Sequence, residues 1–286
     1  CNMYKSIVTE IVKRQKPKLL VISAAAFSQG NWNLTDEVYL RKWIDNMPMS
    51  QNKLDTVKTI PKNINKDDEK VKDNISDTLY FPLEKYHGNW KDPEAVYTSF
   101  VTRAYMRLSG GGYLKGFYSK TGITGGRDNL ANIGQPTKEA YVLTDECRAY
   151  LKELLSYCNK LGIEHVLLLQ PPHETQAADK SGLEQIESIT KEYGYDFLDL
   201  STDYESIAGI DDSHDFADFE HLNAYGAKKL TAYIGDMAVN QYGIKSDTAK
   251  SELSRWKKSV KRTKKALKMA REYTDRGEAR VVGEYE

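Results

Sequence analysis

The chain has 286 residues, long enough for one large α/β domain with an insertion rather than two independent domains. Hydrophobic residues make up 40% and charged residues 29%, which excludes a disordered chain, and no run of about 18 apolar residues supplies a membrane span. With 41 Lys and Arg against 41 Asp and Glu, no net field draws the whole molecule onto nucleic acid or anionic lipid, so any such contact must be local.

In chain order, Met3, Ile7, Val8, Ile11 and Val12 recur at helical spacing and predict an amphipathic helix over 3–15, ended by Pro17. Leu19 to Ile22 is the kind of short apolar run that fills a parallel strand buried on both faces. Beyond Phe27 the pattern breaks. Polar stretches such as 63–70 alternate with aromatic clusters, above all Tyr80 to Trp90, whose apolar area a solvated loop would not keep. Residues 28–135 therefore read as an insertion or cap, with Gly110-Gly111-Gly112 and Gly125-Gly126 as turns.

Regular structure is expected again from Thr137. Cys147, Leu151, Leu154, Leu155, Cys158 and Leu161 line one side of a long helix closed by Gly162. Val166 to Leu169 predicts a second buried strand, stopped by Pro171-Pro172. A helix through Leu183, Ile186, Ile189 and Tyr193 runs to Gly194. A strand over Phe197 to Leu200, a polar loop to Leu222 and a helix over 223–242 follow. Strands alternating with helices at this spacing predict a parallel sheet with helices on both faces.

From Ser251 to Tyr273 the apolar Leu253, Trp256, Val260, Leu267 and Ala270 form a stripe among Lys257, Lys258, Lys261, Arg262, Lys264, Lys265, Lys268 and Arg271, a basic amphipathic helix. Such a helix either docks its stripe on the domain and solvates its lysines or meets an anionic surface. The division expected is an α/β domain over 1–245 and a basic helix and tail over 246–286. On the docked reading, deletion after Gly243 lowers stability modestly and leaves a cooperative transition.

Cys147 and Cys158 stand eleven residues apart on one helix, roughly 16 Å along its axis, too far to bridge. Cys1 reads either as a lipid-modified cysteine left by signal cleavage or as the point where a longer chain is cut, and the second is preferred.

Reactive groups in open α/β sheets sit on loops beyond the carboxyl ends of the strands, which directs attention to residues 201–222. There Asp218 and His221 stand three apart just before a helix. One local turn at that spacing brings a carboxylate to an imidazole, fixes its tautomer and leaves the other ring nitrogen as a general base. His214 lies among Asp211, Asp212 and Asp215. A solvated acidic loop is preferred there to a metal centre, because no second His or Cys stands at zinc spacing. Ser23 and Ser28 follow the first strand, but no glycine elbow frames either as a nucleophile. His87 in the aromatic stretch and His173 after the prolines are cleft candidates or plain loop residues. No nucleotide cofactor is expected, since neither a Gly-x-Gly-x-x-Gly nor a Gly-Lys-Ser/Thr loop occurs.

Asp218-x-x-His221 followed by Leu222-Asn223 and a helix containing Gly226-Ala227-Lys228 resembles the final block of SGNH (GDSL-like) hydrolases, particularly the branch related to teichoic-acid D-alanyl-transfer and alginate-acetylation proteins. The segment Lys16-Pro17-Lys18 with its strand, the Tyr80 to Trp90 stretch and Lys115-Gly116-Phe117 also look like pieces of that branch. The resemblance implies a flavodoxin-like three-layer sheet and a serine activated by His221 with Asp218 orienting it. It further implies an acyl ester of cell-surface carbohydrate or polymer as substrate, and an extracytoplasmic or membrane-associated setting reached through an N-terminal region preceding this chain. One departure matters. The family carries a Gly-Asp-Ser or Gly-Ser-Ser-His block before the first strand seen here, and this sequence contains neither. The nearest counterpart of its Gly-x-Asn-Asp block, Gly30-Asn31-Trp32-Asn33, lacks the final acid and reads better as a turn. The resemblance thus implies a fold incomplete at its N-terminus and inactive as it stands. The alternative is a non-catalytic scaffold or carbohydrate-binding protein that kept the fold.

Overall fold

The computed structural model describes residues 3–28, 37–59, 78–80, 88, 91–109, 112–123, 136–172, 176–218, 221–245 and 250–283. They form two compact units, each threaded by three segments. The first takes Cys1–Val96, Ala140–Gln170 and Asp179–Leu198; the second takes Tyr97–Glu139, Pro171–Ala178 and Asp199–Glu286.

The first unit is mixed α/β. Helix α1 (Tyr4–Arg14) is followed by strand β1 (Leu19–Ser23) and the short α2 (Ala25–Ser28), then by α3 (Glu37–Ile44) and α4 (Gln51–Thr59). Helix α5 (Pro93–Ser109) begins at the unit's edge and strand β2 (Ser119–Lys120) lies wholly in the second unit. After β3 (Pro136–Ala140) the first unit resumes with α6 (Asp145–Lys160) and β4 (His165–Gln170). Strand β5 (Gln176–Asp179) pairs with β3, and α7 (Ser181–Glu192) and β6 (Asp196–Asp199) complete the order.

Strands β1, β4 and β6 form a three-stranded parallel sheet in the order β1-β4-β6, flanked by helices. Leu20 pairs with Val166 and Ile22 with Leu168 in the β1–β4 register. Local chemistry explains the helix of longest apolar face: Thr144 caps α6 by accepting from the Cys147 N–H at 3.2 Å, Asp145 and Glu146 favour its positive end, and Gly162 closes it at φ 68°. Its face buries Leu151, Leu154 and Leu155 completely, while every β4 side chain from Val166 to Gln170 is buried. Each such leucine contributes about 1.5–3 kcal/mol relative to exposure. Strand β1 departs from the expectation of burial on both faces. Leu20 and Ile22 are buried but Val21 is 43% exposed, so β1 covers one face only, as an edge strand does. A second cluster of Met3, Leu40, Ile44, Met47, Val57 and Leu79 joins α1, α3 and α4. Cys147 and Cys158 are free and buried, and burial pushes the Cys158 thiol up to about 11.

The second unit is built differently. After β6 come a short helix α8 (Tyr204–Ala208), a hairpin of β7 (Phe216–Asp218) and β8 (His221–Leu222), and helix α9 (Ala224–Asn240). Helix α10 (Lys250–Asp275) leads to β9 (Val281–Val282), which pairs antiparallel with β2 through Ser119–Val282 and Lys120–Val281. The buried cluster here is Leu114, Ala224, Ala266, Ala270 and Val282. Three of its five members come from α10 and β9, so the 246–286 segment supplies part of this unit's core. That revises the expectation that deletion after Gly243 costs little. Helix α5 leaves Tyr97, Phe100, Val101 and Leu108 exposed. The Tyr80 to Trp90 stretch lies outside the described residues apart from Tyr80 and Gly88, and Gly110-Gly111 and Gly125-Gly126 also lie outside them.

Candidate active site

The polar loop expected over 201–222 contains the β7–β8 hairpin, and this element decides how Asp218 meets His221. The two residues stand opposite each other in the antiparallel register, with an irregularity between Phe216 and Asp218. Cross-strand partners face one another, so their side chains meet without a longer loop. His221 Nδ1 lies 2.7 Å from Asp218 Oδ1, and both side chains are 40% exposed.

The hairpin is fastened by the residues that follow it. Asn223 is buried and caps α9, its Oδ1 accepting from the Tyr225 N–H at 2.9 Å and the Gly226 N–H at 3.3 Å. Its Nδ2 donates to the His214 carbonyl at 2.6 Å and the Gly122 carbonyl at 3.2 Å. Gly226 is required by close approach: a Cβ there would stand 2.4 Å from the Asp215 carbonyl oxygen. The Asn and Gly of the motif thus have a structural account independent of any resemblance. Below them Phe216 is buried edge-on against Tyr204.

A third charged group joins the pair. Lys120 Nζ donates to Asp218 Oδ2 at 2.8 Å and lies 3.1 Å from His221 Nδ1. Nδ1 has two neighbours with opposite demands, an acceptor at 2.7 Å and the Lys120 ammonium, a donor, at 3.1 Å; the shorter contact favours the tautomer in which Nδ1–H donates to Asp218. Lys120 then serves the other carboxylate oxygen. Nε2 is left as the acceptor, and it makes no hydrogen bond among the described residues.

Lys120 was beyond the reach of sequence reasoning, since it lies 98 residues before Asp218 on a two-residue strand. Leading into that strand, Lys115 and Gly116 both take positive φ, 55° and 84°, and the Phe117 N–H donates to the Leu114 carbonyl at 3.0 Å. On its other side Thr121 is tied to the chain's last described segment. Its Oγ1 donates to the Glu278 carbonyl at 2.5 Å and accepts from the Arg280 N–H at 2.8 Å, while the Gly122 N–H donates to Thr274 Oγ1 at 3.2 Å.

The other expected residues have other tasks. His214 Nδ1 lies 2.9 Å from Asp215 Oδ1, with its ring 4.5 Å from that of Tyr225. Fully buried Asp215 also accepts from Lys229 Nζ at 2.6 Å and the Asp211 N–H at 2.8 Å, which makes this second His–Asp pair a structural brace. Ser213, through its hydroxyl and N–H, holds the Asp211 carboxyl below the usual range, and Asp212 accepts from the Tyr204 hydroxyl. Among the described residues no three His, Cys, Asp or Glu side chains gather as metal ligands. Ser28 is buried and donates to Gln170 Oε1 at 2.9 Å, and Ser23 Oγ lies 3.4 Å from the Ala25 N–H as acceptor. His87, His173 and Gly30 to Asn33 lie outside the described residues.

A cavity of about 560 Å³ lies in the first unit between α1, α4 and α6. Its polar groups are paired with one another, Lys5 with Glu153 at 2.5 Å and Thr9 with Tyr157 at 3.0 Å, and no histidine or cysteine lines it. Concavity alone favours that cavity, but an acid–base pair with an open ring nitrogen favours the hairpin, and reaction chemistry needs the latter. Comparison of the chain with family models, with curated proteins and with solved structures finds no match.

Proposed function

We propose that the second unit carries the acid–base half of an SGNH-like serine esterase or O-acyltransferase, acting on acyl esters of a cell-surface carbohydrate or polymer. The observation that carries the reading is the 2.7 Å Asp218–His221 contact on a hairpin that leaves Nε2 without a partner among the described residues. In this mechanism Nε2 takes the proton of a serine hydroxyl as that oxygen attacks the ester carbonyl, and returns it to the leaving alkoxide. Asp218 holds the ring, and Lys120 positions Asp218. The finer fold assignment, a flavodoxin-like three-layer sheet completed by a further N-terminal block, belongs to the same proposal.

One observation favours the alternative, a scaffold or carbohydrate-binding protein that kept the fold: the sequence contains no Gly-Asp-Ser or Gly-Ser-Ser-His block. The two readings separate in an assay on p-nitrophenyl acetate with added glycerol as acceptor. The enzyme reading expects weak ester turnover, insensitive to a fluorophosphonate serine reagent and at least tenfold lower in His221→Ala, since general-base catalysis contributes about 10²–10⁴. Equal rates in the two proteins would leave the scaffold reading. Fast, reagent-sensitive turnover abolished by Ser23→Ala or Ser28→Ala would instead reveal a nucleophile within this sequence.

A further inference from the structure

We propose that the first half of α10, from Leu253 to Lys265, is an in-plane anchor for an anionic lipid surface. The apolar stripe of this helix changes partners along its length. Toward the C-terminal end Ala266 and Ala270 are buried in the second unit's core. Toward the N-terminal end Leu253, Trp256 and Val260 are 42%, 51% and 49% exposed. Docking therefore uses only part of the stripe, and a tryptophan, a leucine and a valine face outward on the rest.

Helix geometry places these three within a sector of about 60°, and Lys264, Lys257 and Lys261 occupy the next roughly 80°. Ser259, 4% exposed, points more than about 100° away from the middle of that surface, toward the body of the unit. The outward face is thus an apolar row bordered by a row of cations. Lys257, Lys258, Lys261, Lys264 and Lys265 are exposed and form no ion pair among the described residues. Charge is concentrated here: α10 holds ten Lys and Arg against three Asp and Glu, in a chain whose total is zero. The remainder of the molecule carries the balancing negative charge, so an acidic surface attracts this helix and repels the rest, which selects one orientation.

The chemistry of the partner follows from both rows. A nucleic acid would use the lysines but has no use for a leucine, tryptophan and valine beside them. An acidic bilayer uses all of them, with headgroups meeting the ammonium groups and the headgroup–acyl boundary taking the apolar row, where an indole is at home. No helix among the described residues is long and apolar enough to cross a membrane, and the contact proposed is with the surface. This inference does not depend on the Asp218–His221 reading.

The test is co-sedimentation of the intact chain with vesicles of phosphatidylcholine alone and of phosphatidylcholine mixed with phosphatidylglycerol. Binding is expected to the mixed vesicles only, and to fall as salt shortens the Debye length. Replacing Lys257, Lys258, Lys261 and Lys264 with Gln should weaken it about fivefold per lysine. Leu253→Ala with Trp256→Ala, which keeps every charge, should also weaken it at least tenfold. Circular dichroism checks that both variants fold. Binding unchanged by the lysine replacements, or equal on both vesicle types, overturns the proposal. So does binding to a DNA duplex as tight as to the mixed vesicles and indifferent to the Leu253 and Trp256 changes, which would mark a polyanion site instead.

Discussion

In the first unit β4 presents five consecutive buried side chains, Val166 to Gln170, and α6 covers them with leucines. In the second no strand exceeds five residues and those around the hairpin have two or three, and its buried residues include Asp215, Asn223, Ser119 and Thr121 beside a smaller apolar set, among it Leu114, Leu200, Tyr204, Ile210, Phe216 and Val282. Both units bury polar groups, but the first sets them in a much larger apolar core, so polar partners carry a greater share of the second. The difference suits their uses. Apolar packing tolerates nothing exposed at its centre, whereas a polar network can hold Lys120, Asp218 and His221 in a fixed geometry while leaving each 33–40% exposed to a substrate.

The harshest way to break this comparison is to delete everything after Gly243. The truncated chain loses Ala266, Ala270 and Val282 from the core and β9 from its pairing with β2. Its second unit is expected to lose cooperative unfolding, seen as a transition of reduced amplitude and slope in urea. A full-amplitude transition would show that α10 and β9 are only an overlay.

A matched pair of point changes sharpens it. Leu167→Ala, at a fully buried strand position, should cost the first unit about 3 kcal/mol through the cavity it leaves. Asp215→Ala should cost the second unit about as much, ~3 kcal/mol, because Lys229, His214 and the Asp211 N–H lose their acceptor together. Urea midpoints measure both. A loss below about 1 kcal/mol for Asp215→Ala would place the second unit's stability in its apolar residues after all.

The smallest effect is a pH dependence in the first unit. Lys13 and Asn52 each hydrogen-bond the Glu10 carboxylate at 2.8 Å and hold it below the usual range. Glu10 itself is only 7% exposed, but its partner Lys13 has a side chain 46% exposed, so solvent screening limits the gain. A lowered folded-state pKa gives stability that is full above the unfolded value near ~4.3 and is lost as pH falls through the folded value. Glu10→Gln should therefore cost less than about 1 kcal/mol at neutral pH and nothing below the folded pKa. A difference that persists unchanged in acid would assign the effect to packing.

The same contrast explains what could be read in the sequence. Helix α6 and strands β1 and β4 were legible because apolar spacing and unbroken apolar runs report burial directly. The exposed Val21 was not, since composition does not say whether a strand has a neighbour on both faces. In the second unit Asp218 and His221 were legible as a pair because three residues separate them, whereas β2, β9 and Lys120 left no periodic trace at all. A two-residue strand has no alternation to detect, and its partner is more than 150 residues away. The basic helix was found by its stripe, but the point along it where burial gives way to exposure depends on neighbours the stripe cannot name.

Thr121, next to the lysine that steadies Asp218, reaches its bonding partner at Glu278 across 157 residues. At a synthesis rate of about 5–20 residues per second, roughly 8–30 s separate the emergence of the two from the ribosome. For that interval β2 has no partner strand, and closing so long a loop then costs entropy before any ladder bond returns it. The hairpin segment with Asp218 and His221 emerges within this wait, before the strand that bears Lys120 gains its partner.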